Sequence, residues 1–149
     1  MKNVQRLHLA GAILFLLTGV AHALGQFLPG PLDPGSAAVI EVLRGFQPPG
    51  RPYSFWGLFE SLGALYGSTT FLFGVLLLMS ARASGHDARV LRATAMVGAV
   101  AALAQAAIGI AFSTWPPVFF MLPAAGLFAY VASTASDRHA PAEEVRPAA

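Results

Sequence analysis

The chain reads as an all-α bundle of four transmembrane helices, with a short amphipathic helix in the first extracytoplasmic loop. Two observations carry this reading. Four apolar runs, roughly Leu7 to Leu24, Phe55 to Met79, Ala93 to Phe112 and Val118 to Ser133, approach the length needed to cross a bilayer. At about 1.5 Å per helical residue, about 18 to 25 residues match a hydrocarbon core about 30 Å thick. The composition is 56% hydrophobic and only 11% charged, where a soluble domain carries about 25% charge. Hydrocarbon offers no water to an open backbone, so each run is expected as a helix. One membrane domain over 1–135 and a disordered cytoplasmic tail over 136–149 follow from the polar, proline-containing C-terminus.

Helix 1 is preceded by Lys2 and Arg6, helices 2 and 3 are joined through Arg82, Arg89 and Arg92, and helix 4 is followed by Arg138 and Arg146. Only Arg44 and Arg51 fall in the first loop. Four crossings place the first three groups on one side, so both termini are expected in the cytoplasm of an inner-membrane protein. Met1 to Arg6 with Ala21-His22-Ala23 also has the layout of a cleaved signal peptide. The long apolar run and its polar positions at helical spacing favour a retained helix.

The first loop begins with Leu28-Pro-Gly-Pro-Leu-Asp-Pro-Gly35, which no helix or regular strand can traverse. Ser36 is expected to cap a short helix from Ala37 to Arg44, stopped by Gly45. Val39, Ile40, Leu43 and Phe46 would share its apolar face and lie on the bundle as a lid, with Glu41 and Arg44 on the opposite face. Gln47-Pro-Pro-Gly-Arg-Pro52 leads into helix 2, where Tyr53 and Trp56 are placed as interfacial aromatics. Helices 2 and 3 are joined by an ordinary polar turn, and helices 3 and 4 by a tight turn at Ser113 to Pro117.

Chemistry has to come from the polar residues inside the crossings. On helix 1, His8, Gly11, Phe15, Thr18, His22 and Gln26 recur at three- and four-residue intervals, so they share one face, expected to turn inward. Thr94, Gly98, Ala102, Gln105 and Gly109 form a comparable stripe on helix 3. Glu60 falls about two turns into helix 2, where an ionised carboxylate facing lipid is costly. Its expected place is the bundle interior, paired or neutral. His22 and Glu60 match in depth to within about one turn. Together with Gln105 they predict an outward-opening polar pocket roofed by the loop helix, with Trp56 and Ser54 at its rim as further ligand-binding candidates. Glu60 and His22 are the candidates for any catalytic role, and Glu60 is expected within reach of helix 1, where a bond to His22 would satisfy both groups. Gln105 is expected to act chiefly as an interhelical hydrogen bonder, and Gly63-Ala-Leu-Tyr-Gly67 as a close-packing pattern rather than a nucleotide loop. His8, about 21 Å along the helix from His22, cannot share a metal with it and is expected as an anchor at the cytoplasmic boundary.

The same residues carry a resemblance. His22-Ala-Leu-Gly25, Val42-Leu-Arg44, Ser54-Phe-Trp56 with Leu58-Phe59 and Gly63, and Trp115-Pro-Pro-Val-Phe119 resemble the landmarks of a family of small, uncharacterised bacterial four-helix integral membrane proteins. Its members show His-Thr-Leu-Gly ending helix 1 and Ser-Tyr-Trp-Asp-Phe-Tyr opening helix 2. The resemblance implies the same topology and a site at the outer ends of these helices, with no reaction attached. Where the family has aspartate, this chain has Gly57; either Glu60, three residues on and on the same helix face, replaces that charge in space, or the family's site has been lost.

Composition excludes several classes. The chain has no cysteine, so disulfides, thiolate metal sites and cysteine nucleophiles are absent. The net charge of +2 forms no basic stripe with interleaved aromatics, so nucleic acid is not an expected partner. No metal or cofactor motif is present, and none is expected. The expected partners are membrane lipid, a hydrophobic small molecule and a second copy of the chain. Two functions follow: binding of a small amphiphile, lipid headgroup or protein partner through the pocket, or a small membrane enzyme of the proton-transfer isomerase type, acting on a lipid-soluble substrate through Glu60 and His22.

Overall fold

The computed structural model describes residues 2–28, 30–84, 87–111 and 115–135. Among these the chain forms five helices and no strand: α1 (Lys2–Phe27), α2 (Pro34–Gly45), α3 (Phe55–Ala83), α4 (Ala88–Ala111) and α5 (Trp115–Thr134). All but α2 are long and apolar enough to cross a bilayer, which makes the chain a multi-pass membrane protein. α1 and α3 run past their apolar runs and α4 begins before its own, because polar residues at the ends still complete intrahelical hydrogen bonds, whereas α5 takes in Trp115 to Pro117, which were expected in the turn. The expected turn residues Ser113 and Thr114 and the tail over 136–149 lie outside the described residues.

The spanning helices alternate in direction and form two close antiparallel pairs, α1 with α3 and α4 with α5, joined along α1 and α5. The fourth edge, between α3 and α4, is nearly unpacked. Glycine decides where backbones meet. A Cβ on Gly19 would stand 2.7 Å from the Phe71 amide nitrogen, and one on Gly74 would stand 2.9 Å from that of Leu16. The α1–α3 pair therefore depends on small-residue approach, the ordinary mode of packing where lipid supplies no hydrophobic drive. Gly67 of the close-packing pattern joins this crossing, next to the Gly19 carbonyl.

The core gathers at the end of the bundle away from α2. Phe128 of α5 is fully buried and fills a socket whose walls are Gly11 and Gly98; a Cβ at either would come within 3 Å of its ring. Phe15 and His8 lie against the same ring, with centroids at 6.1 and 5.0 Å. His8 is thus a core residue with 0% exposure, correcting the expected boundary anchor. The reason is the stripe: His8, Gly11, Phe15 and Thr18 are all buried on one face, and the histidine follows that face into the bundle. Pro123 sits inside α5 without ending it, as proline can in a membrane helix whose freed carbonyl is resatisfied by its surroundings.

The loop helix differs from expectation in both cap and face. Asp33, not Ser36, is the N-cap: its carboxylate accepts the backbone N–H groups of Gly35 and Ser36 at 3.0 Å each, and the Ser36 hydroxyl as well. Pro34 then takes the first helical position, where its missing N–H costs nothing. The helix runs through Gly45, and the Phe46 amide closes it on the Val42 carbonyl at 3.0 Å. Val39 is 59% exposed and Phe46 is also exposed, so neither faces the bundle. Ile40 lines the cavity beneath the helix as expected and Leu43 is half-buried, while Arg44, expected on the opposite face, lies one turn from Ile40 and joins it there. The guanidinium of Arg44 lies 5.8 Å over the Trp56 ring, which rotates α2 away from the purely apolar face. The loop closes through Phe55 N–H to the Phe46 carbonyl at 2.9 Å, and through a turn at Gly50, whose φ of 72° favours glycine.

Candidate functional site

A cavity of about 800 Å³ occupies the α2 end of the bundle. It lies beneath α2, at the opposite end of the bundle from the Phe128 core. α1 contributes Thr18, His22 and Gln26; α2 and its lead-in contribute Leu32, Ile40 and Arg44 as a roof; α3 contributes Trp56, Phe59, Glu60 and Tyr66. Gln105 and Ile108 come from α4, and Trp115 and Phe120 from α5. Four of the five residues named from the sequence, His22, Glu60, Gln105 and Trp56, therefore line one cavity. Ser54 does not: its hydroxyl accepts the Gly57 N–H at 3.0 Å as the N-cap of α3. Serine before an apolar helical run is a capping signal, and that role takes the side chain out of the site.

The polar groups are wired locally. The Trp56 indole N–H donates to the Glu60 carboxylate at 2.7 Å, an i,i+4 bond along α3. Gln26 reaches across from α1 and donates to the main-chain carbonyl of Glu60 at 2.6 Å. The contact expected between Glu60 and α1 is thus made by the backbone, and Glu60, expected in the bundle interior, is an exposed residue on the cavity lining. Gly63 makes room for this clip, since a Cβ there would collide with the Gln26 amide. Deeper, the Tyr66 hydroxyl donates to Gln105 Oε1 at 3.1 Å, and Gln105 Nε2 reaches the Thr70 hydroxyl at 3.5 Å. This polar cluster bridges α3 and α4, so Gln105 acts as the expected interhelical hydrogen bonder.

His22 is half-buried and packs edge-on against Tyr66, with ring centroids 4.9 Å apart. Its Nε2 is buried without a hydrogen-bond partner. The bond expected between His22 and Glu60 is not formed: Trp56, one turn away on the same helix, takes the carboxylate instead. Tyr66, Ile108 and Phe120 were not among the site residues expected from the sequence. Tyr66 lies at helical spacing from Phe59 and Gly63, a signal that could have found it; Ile108 and Phe120 carry no such signal, being ordinary apolar residues. Among the described residues, no three metal-ligating side chains converge.

Fold and cavity together define a multi-pass membrane protein with a roofed cavity at one end of its helical bundle. Compared with family models, curated proteins and solved structures, the chain matches none.

Proposed function

We propose that this is an inner-membrane protein, with both termini in the cytoplasm, that binds a small amphiphile in the cavity beneath α2. One observation carries the reading: a cavity of about 800 Å³ with largely apolar walls, into which a few polar side chains from four different helices converge. Ligand sites typically have about 300–1,000 Å³ and this combination of apolar walls with few placed polar groups. A lipid-soluble molecule is already concentrated in the phase that surrounds such a site. The resemblance to small bacterial four-helix membrane proteins agrees with the membrane assignment and adds no reaction. An enzymatic reading, with Glu60 and His22 exchanging protons with a lipid-soluble substrate, uses the same walls. It lacks the direct pairing of the two groups, so binding is the better-supported function.

Native mass spectrometry after gentle extraction tests this. The wild-type protein is expected to retain a small-molecule adduct, and Ala21→Trp, which adds bulk from α1 into the cavity, is expected to lose it. A bare wild-type mass, or the same adduct on both proteins, would overturn the reading.

A further inference from the structure

Several of the cavity's polar groups are engaged within the protein, whereas His22 is not, and that contrast describes the head of the ligand. Tyr66, Gln105 and Thr70 bond to one another, the Thr18 hydroxyl donates to the Leu14 carbonyl at 2.9 Å, and Glu60 holds Trp56. His22 also lines the cavity, and its imidazole makes no hydrogen bond to the described residues; Nε2 is sealed against α3, so the rest of the ring is the part a ligand can reach. A ligand head that bonds to this imidazole supplies the partner that the protein does not. Among the described residues, the charged side chains on the lining are Arg44 and Glu60. They are of opposite sign, both lie toward the α2 end, and Trp56 engages both. The lining therefore has no net charge to select an ionic head, and an anion near Arg44 meets the Glu60 carboxylate as well.

The route in is visible in the packing. α3 is held by α1, and α4 by α5, but α3 and α4 meet only sparsely. Tyr66, Gln105 and Thr70 bridge this seam at mid-depth. On the α2 side of the bridge, Phe59 and Ile108 line the cavity from either side of the seam while remaining 64% and 56% exposed. The cavity thus faces the lipid phase sideways as well as the roof.

We propose that the ligand is a lipid-soluble molecule with a small neutral head, a hydroxyl or carbonyl on an apolar skeleton, which passes between α3 and α4 and bonds through that head to the His22 imidazole. This rests on the amphiphile reading above and narrows it to a chemical class.

The two tryptophans of the chain, Trp56 and Trp115, both line the cavity, so quenching of intrinsic fluorescence reports its occupancy. The protein is reconstituted in phosphatidylcholine vesicles containing graded amounts of three dibrominated probes: a long-chain alcohol, the fatty acid of the same chain ionised at high pH, and a phosphatidylethanolamine. The alcohol is expected to quench saturably, with a half-quenching mole fraction at least tenfold below those of the other two. His22→Leu is expected to raise the alcohol's half-quenching fraction at least tenfold, and His22→Gln, which restores a hydrogen-bonding group, to recover part of it. Equal or stronger quenching by the acid or the phosphatidylethanolamine overturns the neutral-head class and leaves the amphiphile reading standing. Quenching by every probe only in proportion to its bulk content overturns both. An unchanged response in His22→Leu removes histidine from the site. Should His22→Leu fail to give the wild-type circular dichroism, the ranking of the three probes on the wild-type protein still decides the class.

Discussion

The His8 imidazole has no exposed surface and neither ring nitrogen has a hydrogen-bond partner, so its burial is offset chiefly by packing against Phe128. The Leu77 carbonyl comes near the ring without reaching hydrogen-bond geometry. His8→Leu, similar in volume and without polar atoms, is expected to raise stability in detergent by about 1 kcal/mol, read as a higher unfolding midpoint. His8→Ala leaves a void beside Phe128 and is expected to lower it. Glu60 poses the opposite case, a polar group bonded on the cavity rim. Because α1 grips its main-chain carbonyl, Glu60→Leu is expected to retain the α1–α3 contact, with a stability loss below about 1 kcal/mol. In a Trp115→Phe background, the emission of Trp56 should shift in Glu60→Leu, which strands the indole N–H. It should stay near wild type in Glu60→Gln, whose amide oxygen still accepts that N–H. The inward face that carries His8 and His22 is legible from spacing alone. Their partners are not, since Phe128 and Tyr66 approach them from other helices.

Helix α2 owes its start to Asp33, whose carboxyl is held below its ordinary pKa by the Ser36 hydroxyl first, with the Ser36 and Gly35 amides adding to it. A depressed carboxylate contributes order that is fully present above its unfolded pKa of about 3.9 and is lost as pH falls through the lower folded value. Amide exchange across α2 should therefore be slow and constant from neutral pH down to about 4, once corrected for intrinsic rates, and speed up only below. Asp33→Ala should exchange fast throughout that range. In α1 and α3 the decisive feature is backbone approach. Gly19→Val places two methyl groups against the Phe71 amide and is expected to destabilise the pair by about 1–3 kcal/mol, read as a lower unfolding midpoint. The existence of α2 was readable from its proline-rich tethers and apolar spacing. Its cap was misassigned because Ser36 and Asp33 are both good N-caps, and the Pro34 that follows Asp33 decides between them.

For the whole molecule, the orientation proposed above rests on the basic residues. Seven of the nine Lys and Arg residues sit at the end opposite α2 or beyond Thr134 in sequence, so reporter fusions near Gly35 and after Thr134 should give opposite signals of translocation. The same signal at both sites would contradict the orientation. Hydropathy and the 3.6-residue period are local properties, so the chain discloses its four spans, the inward stripes of α1 and α4, and the depth at which His22, Glu60 and Gln105 lie. Three features depend on how distant helices rotate and lean against one another. These are Glu60's choice of Trp56 over His22, the unpartnered Nε2 of His22, and the sparse seam between α3 and α4. Each turns on contacts made through space, where a shift of an ångström or two exchanges one hydrogen-bond partner for another, and no periodicity along the chain encodes that distance.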